Sequence, residues 1–491
     1  MTQSRWFVPV WLPAVAMFVA GCAAIDAPTT PNPAAAPGAV FRHADAATTS
    51  ATFDADWWRG FADPALDALI ARASIANHDV LIAAQRLRQA RAGTTAAGSR
   101  LLPTIALTAS GSDTRTGLPD EVRRGLPDTR AVRGAFDLGW DLDVFGAARS
   151  AAEAAEFDTQ AAAAGADAAQ LLATTEVARQ YTVWQGARWR LQKLEALLQS
   201  QRDTERLTRS RLAQGQASRF DAVRASGETE SLAAQLPPLR TLVAATEHQI
   251  AVLLGLSPSA PTPGLDASAA PSLPDVPALA SGQPAELLTR RPDLRAAERQ
   301  LLAEGARLRE ARADLWPKFF LAAVFGREDL RLNLMDLSPV RYGNLALAFT
   351  MPIFNAGRLR AAIERQSARE QAASLQYERA VLTALQDVEN SLVALAQERA
   401  RGAALDAAAE ARRTGLRHAE SLYREGQIDL LQLLDSQRGL IAAELAVIDS
   451  RTQRVLDAVQ LFKAMGGGWR VAAADPVASN RMPTSLMASH P

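Results

Sequence analysis

The residues of this chain that can do covalent or acid–base chemistry are few, and they do not converge. His43, His78, His248, His418 and His490 share no metal-ligand spacing. No nucleophile elbow, phosphate loop or pair of acids with a supporting base occurs. Neither an enzyme nor a metal protein is expected. The one cysteine, Cys22, closes the run Val19-Ala20-Gly21-Cys22. Small residues there let a processing enzyme approach the backbone, and the thiol then accepts a lipid, as in a bacterial lipobox. A chance cysteine beside a signal peptide is the competing reading. With Cys22 acylated no thiol remains, which excludes disulfides and cysteine-based catalysis. The covalent lipid is then the only attached group expected, and acyl chains tether a protein rather than span a bilayer.

The flanks of Cys22 agree with secretion. Arg5 precedes an apolar run from Trp6 to Ala20, too short for a membrane helix. Ala23 is not the Asp that usually retains bacterial lipoproteins at the inner membrane, which favours the outer one. No later segment offers about 20 consecutive apolar residues, so no transmembrane helix is expected. Acidic and basic residues number 53 each, and zero net charge argues against a nucleic-acid or anionic-membrane binder. Apolar residues make up 48%, much of it alanine, which favours long helices and close helix approach.

Two elements repeat. Val381, Leu385, Val388, Leu392 and Leu395 follow a 4-3-4-3 spacing, the seam of a coiled coil. From Gly357 to Glu425 a continuous helix would span roughly 100 Å at about 1.5 Å per residue. A break at Gly426-Gln427 and a return helix to Met465 follow. Val177, Tyr181, Trp184, Leu191, Leu194 and Leu198 carry a similar spacing, and an offset of 211 maps Gly146 onto Gly357, Gly215-Gln216 onto Gly426-Gln427 and Gly255 onto Gly466. This is an internal duplication. The expected segments are a signal (1–21), a lipid-anchored tether (22–55), a first repeat (56–256), a Pro- and Ala-rich linker (257–284), a second repeat (285–470) and a loose tail (471–491). Each repeat opens on a helix, about Pro64 to Leu102 (with Leu66, Leu69, Ile70 and Leu81 on its apolar side) and Ala285 to Leu315.

Strand candidates lie between the helices, at about 104–112, 131–143, 318–326 and 342–353. In the second, Phe136, Leu138, Trp140 and Leu142 alternate with Asp137, Gly139, Asp141 and Asp143. The offset of 211 maps the apolar four onto Leu347, Phe349, Met351 and Ile353, so the parity is preserved. The stretches Gly111–Arg130 and Arg327–Arg341 are expected as surface loops. One apolar and one polar face fit a membrane barrel, with lipid outside and water inside; a soluble sandwich with one wet face is the alternative. Four strands cannot close a barrel, and an open sheet edge in lipid is forbidden. Other copies of the chain must complete it, in a number that parity does not give. Asp137, Asp141 and Asp143 would face the lumen and bias it toward cations, or be neutralised by Arg133 or Arg149.

The chain resembles the TolC/OprM-like outer-membrane efflux lipoproteins of the NodT type. The resemblance rests on the lipobox at Cys22, Arg290-Arg291-Pro292-Asp293-Leu294-Arg295, Met351-Pro352-Ile353-Phe354-Asn355-Ala356-Gly357-Arg358, Leu422-Tyr423-Arg424-Glu425-Gly426-Gln427 with the following Ile428 to Arg438, and Met465-Gly466-Gly467-Gly468-Trp469. It implies a mainly α protein with membrane β structure. A homotrimer would place four strands per subunit in a 12-stranded barrel continuous with a helical tunnel across the periplasm. It implies a periplasmic adaptor (a membrane fusion protein) and an inner-membrane pump, commonly of the resistance-nodulation-division class, as partners in exporting small molecules. By the same resemblance Leu431 forms an apolar collar and Asp435 a carboxylate ring at the periplasmic aperture. Gln432 stands where the family often has a second Asp, which puts a divalent-cation plug in doubt. Gln214, Gly215, Gln216, Glu425, Gly426 and Gln427 would meet the adaptor. From the residues alone, Asp435 pairing with Arg438 or Arg424 and glycines acting simply as helix breakers stay open. The competing functions are a periplasmic adaptor, which usually carries one hairpin rather than two, and a structural lipoprotein without a pore.

Overall fold

The computed structural model describes residues 41–43, 56–115, 117, 128–266, 268–277, 284–332, 335–337 and 339–467. The lipid site Cys22, most of the tether and the tail fall outside the described residues. In chain order the helices and strands are α1 (Pro64–Ala76), α2 (His78–Ser99), β1 (Thr104–Thr114), β2 (Thr129–Asp141), α3 (Ala147–Ala213), α4 (Arg219–Ala233), α5 (Leu236–Leu253), α6 (Pro284–Arg290), α7 (Pro292–Ala313), β3 (Lys318–Leu332), the two-residue β4 (Met335–Asp336), β5 (Val340–Thr350), α8 (Arg358–Arg424) and α9 (Leu430–Ala464). The two long helices, α3 and α8, each have 67 residues and begin and end 211 positions apart. The duplication is therefore kept to the residue at both ends.

The described residues form two compact units. One comprises Gln85–Ala163 and Arg295–Ala380; the other, the described parts of Pro37–Ala84, Ala164–Leu294 and Val381–Pro491. The first unit holds an antiparallel sheet in the order β1-β2-β3, with β4 and β5 both pairing β3. The strands overrun the loops expected from sequence. β3 continues to Leu332 and β5 starts at Val340, so much of Arg327–Arg341 is ladder. The charged residues there mimic a loop in composition, but alternation carries the strand through them.

Register places the predicted apolar residues together. Leu107 pairs Phe136, which pairs Phe325; Leu321 lies between Trp140 and Leu347; Phe319 pairs Phe349. Directly paired residues point to the same side of a sheet, so all belong to one face. That face has no cover among the described residues: Phe136 is 58% exposed, Leu347 67% and Phe349 69%. Two glycines are filled by paired aromatics. The Tyr342 ring lies over Gly326 and the Phe325 ring over Gly343. A Cβ on Gly326 would fall 2.6 Å from the Tyr342 hydroxyl oxygen and 2.8 Å from Ala135 Cβ. Gly326→Val should therefore expel the Tyr342 ring and destabilise the sheet by about 1–3 kcal/mol. Thermal denaturation of the variant beside Gly134→Val, at an open position, checks this; equal midpoints would refute it.

The second unit is held by seams and end-locks. Val177, Tyr181, Trp184, Leu194 and Leu198 are buried on α3, and Val381, Val388, Leu392 and Leu395 on α8, as the spacing predicts, while the remaining seam residues Leu191 and Leu385 are half-buried. Trp57 stacks on Phe462 at 4.7 Å. Asp63 caps α1 through Oδ1, which accepts from the N–H groups of Ala65 and Leu66, and its Oδ2 accepts from the Tyr181 hydroxyl at 2.8 Å. Burial, then the adjacent Asp63, pushes the Tyr181 phenol well above its ordinary range.

The single opening helix expected in each repeat is in fact two. The breaks fall at Asn77 and Arg291, 214 positions apart. Proline explains the second, since Pro292 disfavours helix at the residue before it. At the first, the Asn77 carbonyl oxygen of the side chain caps α2, accepting from Asp79 and Val80. Leu81, past this break, is exposed rather than on a buried stripe. Both break residues do the same job: Asn77 Nδ2 donates to the Leu253 carbonyl at 3.0 Å, and Arg291 Nη1 to the Ala464 carbonyl at 3.0 Å. Those carbonyls are again 211 apart. Gly255 and Gly466, with φ of +70° and +76°, close the helices they follow. A Cβ on either would meet the backbone beside the matching break, at Ala76 or Arg291.

Candidate functional site

Two hairpin ends lie in the second unit, and both turn by the same chemistry. Gly215 and Gly426 adopt φ of +71° and +73°. Gly215 N–H donates to Leu212 and Gln216 N–H to Arg211; Gly426 N–H donates to Tyr423 and Gln427 N–H to Leu422. These are paired Schellman closures, in which a left-handed glycine lets two N–H groups satisfy the last carbonyls. Ser218 and Asp429 then cap the return helices α4 and α9. The six residues expected at these tips, Gln214, Gly215, Gln216, Glu425, Gly426 and Gln427, are all exposed.

Leu431 and Asp435 project from the first turns of α9. Leu431 is 44% exposed, while its neighbours Leu430, Leu433 and Leu434 are buried against Ala225, Ala419 and Tyr423. The Asp435 side chain is 74% exposed, and its Oδ1 lies 3.4 Å from Arg438 Nη2. Arg438 also reaches Glu228 at 3.7 Å. The contact with Arg438 leaves most of the Asp435 carboxylate in solvent. The corresponding positions of the first repeat hold Phe220 and Arg224, so only the second hairpin offers an acid there.

Above the tips, cross-helix ties that sequence reasoning did not find connect α9 to its neighbours. Glu444, 7% exposed, is held between Lys193 Nζ of α3 at 2.8 Å and Arg413 Nη2 of α8 at 2.9 Å. Hydrogen bonds donated to Glu444, first, and to Glu410 hold the Arg413 guanidinium above its ordinary pKa. Arg190 of α3 meets Asp449 at 2.6 Å, and Gln437 Nε2 donates to Thr204 at 2.9 Å. A cleft of about 380 Å³ beside Gln201, Leu232 and Leu445 lies between these ties. None of this follows from spacing: Lys193, Arg190 and Thr204 meet partners more than 230 positions away, and Arg413 meets Glu444 only across the turn between α8 and α9. Arg291 is the other unforeseen hub. Burial alone would lower its pKa, but Asp293 and Asp387 more than offset that and hold it above the ordinary value.

The sheet's second face carries Asp137 and Asp141. Asp137 accepts from Thr108 Oγ1 at 2.6 Å and Asp141 from the N–H of Asp143 at 3.1 Å. Asp143 itself departs from the expectation of a strand residue facing a lumen. β2 ends at Asp141, Asp143 has φ of 44°, and its carboxylate accepts from the N–H groups of Ala148 and Arg149 and from Arg149 Nε at 3.2 Å. Its alternating parity is real, but the first turn of α3 needs an acceptor, and Asp143 supplies it. Trp140 lies on the apolar face with its Nε1 donating to the Leu101 carbonyl at 3.0 Å.

A sheet whose apolar face is exposed in the chain, joined to long helical hairpins, fits the membrane barrel expected from strand parity. The comparisons agree. The family model for the outer membrane efflux protein matches residues 69–256 and 284–467. The chain is 32% identical over 455 residues to the pyoverdine export outer membrane protein OpmQ of Pseudomonas putida, covering 91% of this chain and 95% of OpmQ. It is 31% identical over 424 residues to nodulation protein T of Rhizobium leguminosarum bv. trifolii, covering 85% and 88%. The solved outer-membrane channel OprN superposes with a TM-score of 0.80 at 30% identity, covering 90% of this chain and all of that one. The chain belongs to the outer membrane efflux protein family. It is an efflux channel of the outer membrane with a periplasmic extension.

Proposed function

We propose that three copies of this chain form the exit duct of a tripartite efflux pump, passively conducting small molecules handed over by an inner-membrane transporter and a periplasmic adaptor. One observation carries the assembly of several copies: among the described residues the sheet has an uncovered apolar face and two unpaired edges, while the number three is what the family resemblance implies. Among the described residues β1 pairs only β2, and β5 pairs only β3. Lipid tolerates no such edge, so copies must close the ring. The apolar face then meets lipid, and Asp137 and Asp141 meet the lumen. Cys22 carries the lipid anchor. The tips Gln214 to Gln216 and Glu425 to Gln427 receive the adaptor's helices, and the pump is of the resistance-nodulation-division class. Leu431 and Asp435 narrow the periplasmic mouth, where three carboxylates would favour cations.

Planar-bilayer recordings with the detergent-extracted protein test this reading. A trimeric mass and a small, cation-selective conductance are expected. Leu431→Ser with Asp435→Ala should raise the conductance several-fold and reduce its cation preference. A protein that stays monomeric, or a pair of substitutions that leaves conductance and selectivity unaltered, would remove the trimer or the aperture assignment respectively.

A further inference from the structure

The apolar face of the sheet ends abruptly at arginines. Along β3 it runs Phe319, Leu321, Ala323, Phe325 and then Arg327; along β5, Phe349, Leu347, Leu345, Gly343 and then Arg341. Arg327 and Arg341 are direct cross-strand partners. Further out, Arg130 stands opposite both Arg331 and Asp113. By ladder parity all of them share the side of the apolar residues, not of Asp137. Arg130, Arg327 and Arg341 are exposed.

Like charges placed directly opposite each other repel. The chain does little to relieve this on the rung next to the apolar band. Asp329 Oδ1 takes Arg327 Nε at 3.2 Å, but it lies one rung further out. Beyond the ladder, no ion pair or hydrogen bond of the Arg341 or Arg130 side chain occurs among the described residues. Among the described residues, acids return on this face beyond it, at Asp329 and Asp113. The opposite end of the same face has no such rung: Trp140, Phe319 and Phe349 lead to Met351 and Ile353, which are 52% and 94% exposed. The cationic end is the loop end of the hairpins, away from the helices, and so the outer leaflet.

We propose that Arg327 and Arg341 form a binding site for the phosphate monoesters of outer-leaflet glycolipid, the acyl chains of which lie on Phe325, Leu345 and Phe136. The inference rests on the lipid-facing reading of the sheet. Charge complementarity carries it: two guanidiniums side by side suit a doubly charged phosphate, which relieves their repulsion and accepts paired hydrogen bonds. Continuity carries it too, because a headgroup phosphate sits at the boundary where hydrocarbon stops. A membrane-facing arginine pair in hydrocarbon would instead be costly.

Native mass spectrometry of the full-length protein in detergent tests the site, with titrations of lipid A bearing both phosphates, the same lipid after phosphatase treatment, and inorganic phosphate. The bisphosphorylated lipid should bind saturably. Arg327→Gln/Arg341→Gln should weaken it roughly 30-fold, from about 1 kcal/mol per arginine near an anionic surface. Arg341→Lys should keep part of the affinity, and Arg206→Gln, a substitution in the other unit, all of it. The dephosphorylated lipid should bind weakly and indifferently to the substitutions. Equal binding of both lipids by the unsubstituted protein, or unaltered binding by the double variant, would overturn the proposal. Saturable competition by inorganic phosphate would make it a free-anion site instead. Bilayer insertion of the unsubstituted protein into phosphatidylcholine separates the two readings. Insertion without lipid A binding by the unsubstituted protein refutes only the site, whereas failure of the unsubstituted protein to insert refutes the lipid-facing sheet.

Discussion

Arg291→Ala is expected to destabilise the helical unit by about 3 kcal/mol. Its side chain is 11% exposed and serves three partners at once. Nε and Nη2 donate to the Asp293 carboxylate at 3.0 and 2.7 Å, Nη1 and Nη2 to Asp387 at 3.3 Å, and Nη1 to the Ala464 carbonyl at 3.0 Å. Removing it strands a helix-terminal carbonyl and two carboxylates. Asp293 and Asp387 are partly solvated, at 50% and 37%, which keeps the loss below that of a fully buried pair. Arg291→Lys should recover little, because one ammonium cannot span three acceptors. Urea denaturation followed by circular dichroism reads both variants. A lysine variant as stable as the parent would show that charge alone, rather than the fork, holds the end of α9.

The second large effect concerns Glu444. Lys193→Ala with Arg413→Ala leaves its carboxylate buried without a counter-charge and should cost about 3 kcal/mol or more. Glu444→Leu should cost much less. It leaves two cations that are 36% and 44% exposed and can rehydrate, and it fills the site with apolar volume. The order of the two melting midpoints is the test. Should Glu444→Leu prove the more damaging, the tie contributes through its geometry rather than through compensation of a buried charge. The same double substitution unfastens α9 from α3 and α8 above the tips, so bilayer recordings should show a larger and noisier conductance than the parent.

Much of the fold was legible because its signals are local or repeated. Gly215 and Gly426 mark turns since only glycine takes the left-handed φ at low strain, and both sit in matching closures. The seams on α3 and α8 were visible as spacing, and strand parity survived to the register of Leu107, Phe136 and Phe325. Errors arose where one side chain overrode a pattern. Apolar spacing passes through Asn77 and Arg291 undisturbed, yet each leaves the helix to satisfy a carbonyl more than 170 residues away. Asp143 keeps the alternation of β2 but is taken by the start of α3.

Read alone, the residues dictate a doubled hairpin, two pairs of strands and one bare apolar face, because periodicity, glycine and the 211-residue offset are properties of neighbours along the chain. They also supply Leu431 and Asp435 as candidates for the aperture. Folding adds what neighbours cannot encode: Glu444 between Lys193 and Arg413, Arg291 under Ala464, and Arg327 facing Arg341 at the rim of the apolar band. Those pairings depend on which helices and strands come to lie side by side, and a charge acquires its role only when burial and distance to its partner are set.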